Sequence, residues 1–424
     1  MSADIQLSTP SGYRALDVTS VCTYLAGVQD VAEKLGGEFT LWSAEEVGDG
    51  NLNLVFIVRG ETGAVCVKQA LPYVRLVGES WPLPLTRAHF EHMALVEQTA
   101  HAGEYVPDLY HYDEPMALTV MEFLSPHIIL RKGLIAGVKY PKMAQDLGLF
   151  LARTLFRTSD LYLSSDRKKY KTEMFLPNTA MCQISEDLLF DEPYFDAEMN
   201  RHTSPQLDDI ADSYKADVDL KLAVQEMKWR FQNAPEALLH ADFHTGSVMV
   251  TEDQTRVIDP EFAFYGPMGF DVGAIIANLF LAYYSQSAHE GRGDYATWIL
   301  EQIETLHACF EREFTALFEG TLNGTVDQIG DIYMPRVIKF SPDLKERAIK
   351  ARLEAIWLDT LGFAGVKMNR RILGLAHVED FESIENADVR AACERKALIF
   401  GRMLLTQRTD FKTIEDVTAA AKDV

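Results

Sequence analysis

The hydrophobic pattern of this chain changes type near residue 125, and that change limits the folds it can adopt. Before that point, apolar and β-branched segments have the character of strands, at residues 39–46, 54–59, 65–69 and 117–123. Beyond it, apolar residues recur at helical spacing, at residues 143–158, 217–233, 271–284 and 295–317. The sequence therefore predicts an α+β protein with a small β-rich N-terminal lobe, residues 1–121, and a larger, mainly helical C-terminal lobe, residues 122–424.

Length, charge and cysteine content exclude several classes of protein. With 424 residues, of which 47% are hydrophobic, the chain can bury a core large enough for two lobes. Its formal net charge of −23 argues against nucleic-acid binding, which requires a basic surface. The five cysteines have no CxxC spacing, so we expect neither a disulfide framework nor a zinc site. Without an apolar run of about 18 residues or a signal-like N-terminus, we expect no membrane span, no export and a cytoplasmic location.

Two short polar segments, each following a strand-like stretch, carry residues suited to phosphoryl transfer. The first is residues 239–247, in which Asp242 can orient and deprotonate a hydroxyl. His240 more plausibly orders this loop through backbone hydrogen bonds than transfers protons. The second is Asp259-Pro260-Glu261, whose two carboxylates can each offer oxygen ligands to Mg²⁺. Asp242 or Asp259 alone fits an ordinary turn, but their combination and spacing favour a kinase acting on a small molecule.

A glycine-containing loop in the N-terminal lobe is a candidate for binding nucleotide phosphates. Residues 47–53 lie at the predicted tip of a hairpin, where the backbone can approach phosphate oxygens. The side chains of Asn51 and Asn53 can add donors there. The same residues also fit an ordinary hairpin turn, so this loop gains weight only from the residues that follow it.

A lysine on the next strand can supply the positive charge that the phosphates need. Lys68 follows apolar residues and can reach the α and β phosphates, although a solvent-facing lysine fits the pattern too. A glutamate on the amphipathic helix predicted at residues 87–100 can pair with it, and we favour Glu91 over Glu97.

Two further segments complete the interpretation. The strand at residues 117–123 leads into the second lobe, where the backbone of Glu122, Phe123 and Leu124 is expected to face the adenine edge. The polar segment 204–219 is predicted to be a surface loop entering a helix.

Several longer strings resemble the S-methyl-5-thioribose kinase family, within the protein-kinase-like superfamily that includes aminoglycoside and choline kinases. The strings are residues 48–53, 68–73, 78–82, 129–135, 244–247 and 259–271, with 370–377 toward the C-terminus. They span residues 45 to 385, roughly. The resemblance implies a bilobal kinase fold with ATP in the cleft, and ATP-dependent phosphorylation of the 1-hydroxyl of methylthioribose in methionine salvage.

The resemblance also implies individual roles. Asp242 is the base that contacts the sugar, and Lys68 contacts phosphates. The nucleotide side further comprises Asn51 and the Asp259-Pro260-Glu261 segment, in which Asp259 and Glu261 hold Mg²⁺. Arg370 and Arg371 match the family's substrate-side arginines, which without the resemblance would be read as a solvated helix face. Trp81 lies in a loop that closes over the methylthio group, and the family is expected to form homodimers.

Two features depart from the wider superfamily, in which many members have Asp-x-Asp or Asp-Phe-Gly where this chain has Asp259-Pro260-Glu261. Two alternative functions also stay open. Ser247 stands where most relatives have an asparagine metal ligand, which leaves the number of Mg²⁺ sites open. Asp271, at the start of a predicted helix, is expected to cap or brace a loop. The first alternative is a kinase for another small alcohol, such as an aminoglycoside, choline or homoserine. The second is a non-catalytic nucleotide-binding protein on a kinase scaffold.

Overall fold

The computed structural model of the chain describes residues 9–48, 52–74, 78–323, 330, 332 and 342–424. Their contacts divide the chain into two compact units. The first comprises the described residues of Met1–His127 together with Arg256–Ala263, and the second those of Ile128–Thr255 and Phe264–Val424. The sequence predicts a boundary between residues 121 and 122. It does not predict that Arg256–Ala263 belongs to the first unit.

The first unit is built on an antiparallel sheet. Its strands are β1 (Ser43–Glu46), β2 (Asn53–Arg59), β3 (Ala64–Ala70), β4 (Tyr73–Val74), β5 (Gly78–Pro82), β6 (Leu109–Asp113) and β7 (Leu118–Glu122). Its helices are α1 (Ser20–Ala26), α2 (Gln29–Leu35) and α3 (Arg87–Ala102). Five strands pair in the order β1-β2-β3-β7-β6, while β4 and β5 form a separate hairpin. All pairings within the five-stranded sheet are antiparallel.

Alternation along β3 determines where Lys68 points. Val65 and Val67 are fully buried and pack in a core with Phe56 of β2 and Val120 of β7. Because successive strand side chains face opposite sides of a sheet, Lys68 points away from this core. Lys68 therefore lies on the face of the sheet opposite Val65 and Val67, where it can contact polar groups.

The second unit is mainly helical. Its helices are α4 (Leu130–Ala136), α5 (Met143–Arg157), α6 (Ser165–Phe175), α7 (Thr179–Ser185), α8 (Asp208–Ala216), α9 (Val218–Asn233), α10 (Gly269–Ser285), α11 (Gly293–Asn323), α12 (Pro342–Leu373), α13 (Glu379–Glu382), α14 (Ala387–Thr406) and α15 (Ile414–Asp423). Its short strands are β8 (Ile128–Ile129), β9 (Ala237–Leu238), β10 (Val248–Val250) and β12 (Tyr265–Gly266), and β11 (Thr255–Val257) begins in it. No helix in the described part of the chain combines the length and hydropathy needed to cross a bilayer.

Two glycines allow α10 and α12 to touch along their backbones. A Cβ at Gly269 would lie 2.6 Å from the Thr360 backbone nitrogen, and one at Gly273 would lie 2.5 Å from the Thr360 carbonyl oxygen. Real side chains essentially never approach so closely, so glycine is required at both positions for this packing. The contact fixes the start of α10 against α12, and both helices carry residues of the candidate site described below.

The structure agrees with the predicted fold class, with two local differences. The first unit contains the sheet and the second is mainly helical, as the change of pattern predicts. The predicted strand at residues 39–46 is shorter, because Phe39–Leu41 forms a turn of 3₁₀ helix before β1. The prediction of a loop at residues 204–219 was wrong, because Asp208–Ala216 is helical and buries Ile210, Ala211 and Tyr214.

Candidate active site

The predicted lysine of the first unit forms an ion-pair cluster with two carboxylates. The Nζ atom of Lys68 donates to Oε1 of Glu91 at 2.7 Å and makes a second, short contact with Oδ1 of Asp259. Glu91 lies on α3, so the helix glutamate favoured from the sequence is the one that pairs with the lysine. The cluster brings together one residue from β3, one from α3 and one from the Arg256–Ala263 segment.

A second part of this cluster holds Glu261. Its Oε2 accepts a hydrogen bond from Nδ2 of Asn53 at 3.0 Å, and Nε of Arg87 lies 3.5 Å from the same oxygen. The Arg87 guanidinium also donates to Oδ1 of Asn53 at 3.2 Å, so both ends of the Asn53 amide are engaged within the protein. A direct contact of Asn53 with nucleotide stays a prediction.

Arg87 was not predicted as a site residue, because in the sequence it marks only the start of a helix. It is 1% exposed, and its remaining donors reach the carbonyl oxygens of Pro84 at 3.1 Å and Leu52 at 2.5 Å. No signal in the sequence distinguishes this arginine from one on a solvated helix face, because its partners come from separate parts of the chain.

The electrostatics of this cluster favour a divalent cation. One carboxylate oxygen from each of Glu91, Asp259 and Glu261 lies within 4.8 Å of the others. Burial, together with the neighbouring charges of Asp259 and Glu261, raises the pKa of Glu91 to about 7 even though Lys68 is adjacent. Burial likewise raises the pKa of Glu261. Although burial acts in the opposite direction, the three carboxylates raise the pKa of Lys68 and hold it charged.

Oxygen donors at this separation fit the hard cation Mg²⁺. The backbone at Asp259 is also unusual, because its φ of 72° lies in the left-handed region. This conformation turns the chain sharply between β11 and Pro260, which is buried and accepts a backbone hydrogen bond from Ala263 at 3.1 Å. Non-glycine residues in this region concentrate at functional sites.

The other residues predicted for the nucleotide side are placed as follows. Asn51 lies outside the described residues. Glu122 ends β7 and its backbone N–H donates to Asp108 at 2.8 Å, while the Phe123 ring lies beneath the Arg59 guanidinium at 5.1 Å and Leu124 is buried. Trp81 is half-buried on β5, in a strand of the β4–β5 hairpin rather than in a loop. Contacts of these residues with ligand stay predictions.

In the second unit, the loop around Asp242 is braced by Asp271 at the start of α10. The two oxygens of Asp271 accept from the backbone N–H groups of His240 at 2.7 Å and Ala241 at 2.9 Å. Ala241 has a φ of 67°, so the brace holds a left-handed residue immediately before Asp242. Nδ1 of His240 accepts from the Asp242 backbone N–H at 3.3 Å. The expected loop-ordering roles of His240 and Asp271 are both confirmed.

Asp242 lies among side chains that stabilise its negative charge. Although burial acts to raise it, His244, Lys367 and Arg371 hold the pKa of Asp242 well below its usual range. Its carboxylate is therefore ionised at neutral pH, as a proton acceptor must be, and its side chain keeps 28% of its surface exposed.

Near the end of α12, Arg371 is buried and Arg370 is half-buried, so the pair is not a solvated helix face. Burial, the adjacent Arg370 and Arg131 all lower the pKa of Arg371. Nε and Nη1 of Arg370 have no hydrogen-bond partner among the residues that the structure describes. Lys367 is 4% exposed, with its Nζ 4.3 Å from the centre of the Phe270 ring, and burial lowers its pKa to about 7. Lys367 was not predicted as a site residue, although its spacing to the two arginines puts all three cations on one helix face.

Arg131 joins this group of cations from the start of α4. Its Nε lies 3.3 Å from Oδ2 of the buried Asp380 and 3.2 Å from Oγ1 of Thr245. The hydroxyl of Ser247 donates to the carbonyl oxygen of Asp242 at 3.0 Å. The contacts of Ser247 thus stabilise the loop around Asp242. Its role in binding a metal stays open.

Comparisons with known proteins agree with this arrangement. The family described as "Phosphotransferase enzyme family" matches residues 43–306. Methylthioribose kinase 1 of Oryza sativa subsp. japonica is 45% identical over 411 residues, covering 96% of this chain and 94% of the relative. Methylthioribose kinase of Escherichia coli O45:K1 is 44% identical over 420 residues, covering 98% of this chain and 99% of the relative.

Among solved structures, a glucosamine kinase is similar with a TM-score of 0.45 and 12% identity, covering 94% of this chain and 85% of that one. The family match and the two charged clusters define the protein as a kinase of the phosphotransferase class. Within that class, the chain belongs to the methylthioribose kinase family.

Proposed function

We propose that this protein is an ATP- and Mg²⁺-dependent kinase that phosphorylates the 1-hydroxyl of S-methyl-5-thioribose, in methionine salvage. The assignment of the substrate rests on the match over nearly the whole chain to proteins named methylthioribose kinase. The two clusters supply the parts of a phosphoryl-transfer reaction, with nucleotide-side residues in the first unit and an acceptor-side base in the second.

The first unit supports the nucleotide side of the proposal. Asp259 and Glu261 are the residues we assign to Mg²⁺, since their oxygens, with one from Glu91, form a compact group of hard donors. When bound, the metal neutralises negative charge on the transferring phosphates. Lys68 is held charged by its carboxylate neighbours, and we assign it to the phosphates.

The second unit supports the acceptor side. Asp242 accepts the proton of the sugar 1-hydroxyl as the hydroxyl oxygen forms its bond to the γ-phosphorus. The bond between that phosphorus and the β–γ bridging oxygen breaks, and its electron pair leaves with ADP. The permanent charges of Arg370 and Arg371 are suited to sugar oxygens and to the transferring group. We assign Trp81 to covering the methylthio group and excluding water.

The test is ADP release from Mg²⁺-ATP with methylthioribose, run beside ribose, choline and an aminoglycoside panel. We expect about 1 to 100 turnovers per second with methylthioribose and little with the other acceptors. The Asp242→Asn variant should bind nucleotide as the wild type does but turn over at least about 100-fold more slowly. Turnover only with a cationic acceptor would overturn the substrate, and unchanged turnover of the variant would remove Asp242 from its role.

Two further expectations belong to this proposal. We infer a homodimer from the family resemblance, and light scattering coupled to size exclusion will measure the mass in solution. We also infer a cytoplasmic location, because the five cysteines are unpaired, as is usual in a reducing compartment. A monomeric mass would contradict the first of these expectations.

A further inference from the structure

His244 is a half-buried side chain next to Asp242, with 17% of its surface exposed, and no part of the proposed reaction yet uses it. Its Nε2 lies 3.3 Å from Oδ2 of Asp242. Its Nδ1 faces its own loop, where the Gly246 backbone N–H donates to it at 3.0 Å. The ring therefore lies between the Asp242 carboxylate and the backbone of the residues that follow it.

The backbone contact determines which ring nitrogen carries the proton. A backbone N–H can only donate, so Nδ1 must be the unprotonated nitrogen. The Ser247 hydroxyl, 3.2 Å from Nδ1, donates instead to the Asp242 carbonyl oxygen at 3.0 Å, which is consistent with that assignment. A neutral histidine with its Nδ1 occupied in this way has its proton on Nε2, directed at Asp242.

The loop is shaped to keep the ring there. A Cβ added at Gly246 would lie 2.8 Å from Cε1 and 2.9 Å from Nδ1 of His244, so only glycine allows the ring to pack this closely. Burial lowers the pKa of His244 to about 4, with the nearby Arg131 and Arg371 acting in the same direction. The ring thus stays neutral at physiological pH and keeps its single N–H.

We propose that His244 is a positioning residue that donates its Nε2–H to Oδ2 of Asp242 and leaves Oδ1 to take the proton of the acceptor hydroxyl. This inference rests on the proposed function. His244 itself cannot be the base, because neither nitrogen has a lone pair available. At 3.3 Å the separation of Nε2 and Oδ2 is slightly longer than the roughly 2.7–3.2 Å that is usual for such hydrogen bonds.

Two substitutions separate donation from a merely structural role. In His244→Gln the side-chain amide nitrogen can take the place of Nε2 and donate to Asp242, whereas His244→Leu fills a similar volume without a donor. We expect kcat to fall about 10- to 100-fold in the leucine variant with KM unchanged, and to fall much less in the glutamine variant. Equal losses in both variants would overturn the proposal.

The pH profile gives a second readout. Without the donor, the pKa of Asp242 rises, so the acidic limb of kcat/KM should move to higher pH in His244→Leu and stay in place in His244→Gln. Lys367 and Arg371 still face Asp242 in both variants. His202 provides the matched control, because it forms a histidine–aspartate pair with Asp208 at 2.9 Å in the same unit, and its Gln and Leu variants should change neither limb.

A third measurement needs no turnover. In protein carrying ¹⁵N-labelled histidine, the signals lost in His244→Gln belong to His244. They should report an unprotonated Nδ1 and a protonated Nε2 from pH 8 down to about 5. The opposite tautomer, or protonation of both nitrogens near neutral pH, would overturn the proposal. Wild-type inactivity toward methylthioribose would refute the proposed substrate and leave this spectroscopic test intact.

Discussion

Replacement of Arg87 by methionine is expected to destabilise the first unit strongly. Arg87 is 1% exposed and lies 3.5 Å from Oε2 of Glu261, which is itself 4% exposed. Methionine has similar length and leaves no large cavity, but it removes the charge that balances Glu261. Asn53 and the carbonyl oxygens of Pro84 and Leu52 lose a donor at the same time.

The magnitude follows from the burial of both partners. Removing one partner of a buried ion pair costs about 3–5 kcal/mol, because the remaining charge is left unbalanced in a poorly solvated place. The double variant Arg87→Met with Glu261→Gln removes that charge as well. We expect it to be more stable than the sum of the two single losses predicts, by about 1–3 kcal/mol.

Urea unfolding followed by circular dichroism measures these differences. The control is Arg59→Met, because Arg59 is paired with Glu45 at 2.7 Å in the same unit but both side chains are largely exposed. Such pairs contribute only about 0–1 kcal/mol. If Arg87→Met costs no more than this control, or if the double variant shows the simple sum of the single losses, the cluster does not stabilise Glu261 as argued.

Three other predictions concern the second unit and the β4–β5 hairpin. Burial lowers the pKa of Lys367 to about 7 in the folded chain, whereas in the unfolded chain it is about 10.4. Between pH 7 and about 10.4 the unfolded state therefore binds more protons, and the free energy of unfolding rises with pH. Lys367→Met removes this dependence, so its melting temperature relative to wild type should fall as pH rises from about 7 to 9.5, and a constant difference would contradict the assignment. Asp271→Asn keeps one acceptor for two backbone donors and should lower stability by about 1–3 kcal/mol, measured by urea unfolding; an unchanged midpoint would rule out the brace. Trp81→Ala should raise KM for methylthioribose about 10-fold or more while ribose kinetics stay unchanged, and equal effects on both sugars would refute a role at the methylthio group.

Much of the first unit's cluster could be predicted because its signals are local. Alternation along β3 put Lys68 on the side of the sheet opposite to Val65 and Val67, and the apolar spacing of α3 marked a helix that offers Glu91. The Lys68–Glu91 ion pair needs only these two elements to pack in the usual way, and the structure contains it.

The remaining features depend on contacts between distant segments. The partners of Arg87 come from the loop before α3, from the start of β2 and from Glu261, and no periodicity connects those positions. Helix α8 escaped prediction for a different reason. Its sequence, DDIADSYKA, buries only Ile210, Ala211 and Tyr214, which is too few apolar residues to separate a short helix from a polar loop.

The burial of the arginine pair was also beyond local reasoning. Arg370 and Arg371 have the composition of a solvated helix face, yet Arg371 is buried and Arg370 is half-buried. The glycines that bring α10 against α12 can be seen in the sequence, but the sequence does not show which helix packs against them.

The return of Arg256–Ala263 to the first unit has a consequence for how the protein is made. The ribosome completes Met1–His127 long before it adds Asp259 and Glu261, so a nascent first unit has its lysine but lacks two of the three carboxylates beside it. Until residue 263 has left the exit tunnel, Lys68 and Arg87 lack these anionic partners. The complete carboxylate cluster can therefore form only late in synthesis, after residues 256–263 have emerged.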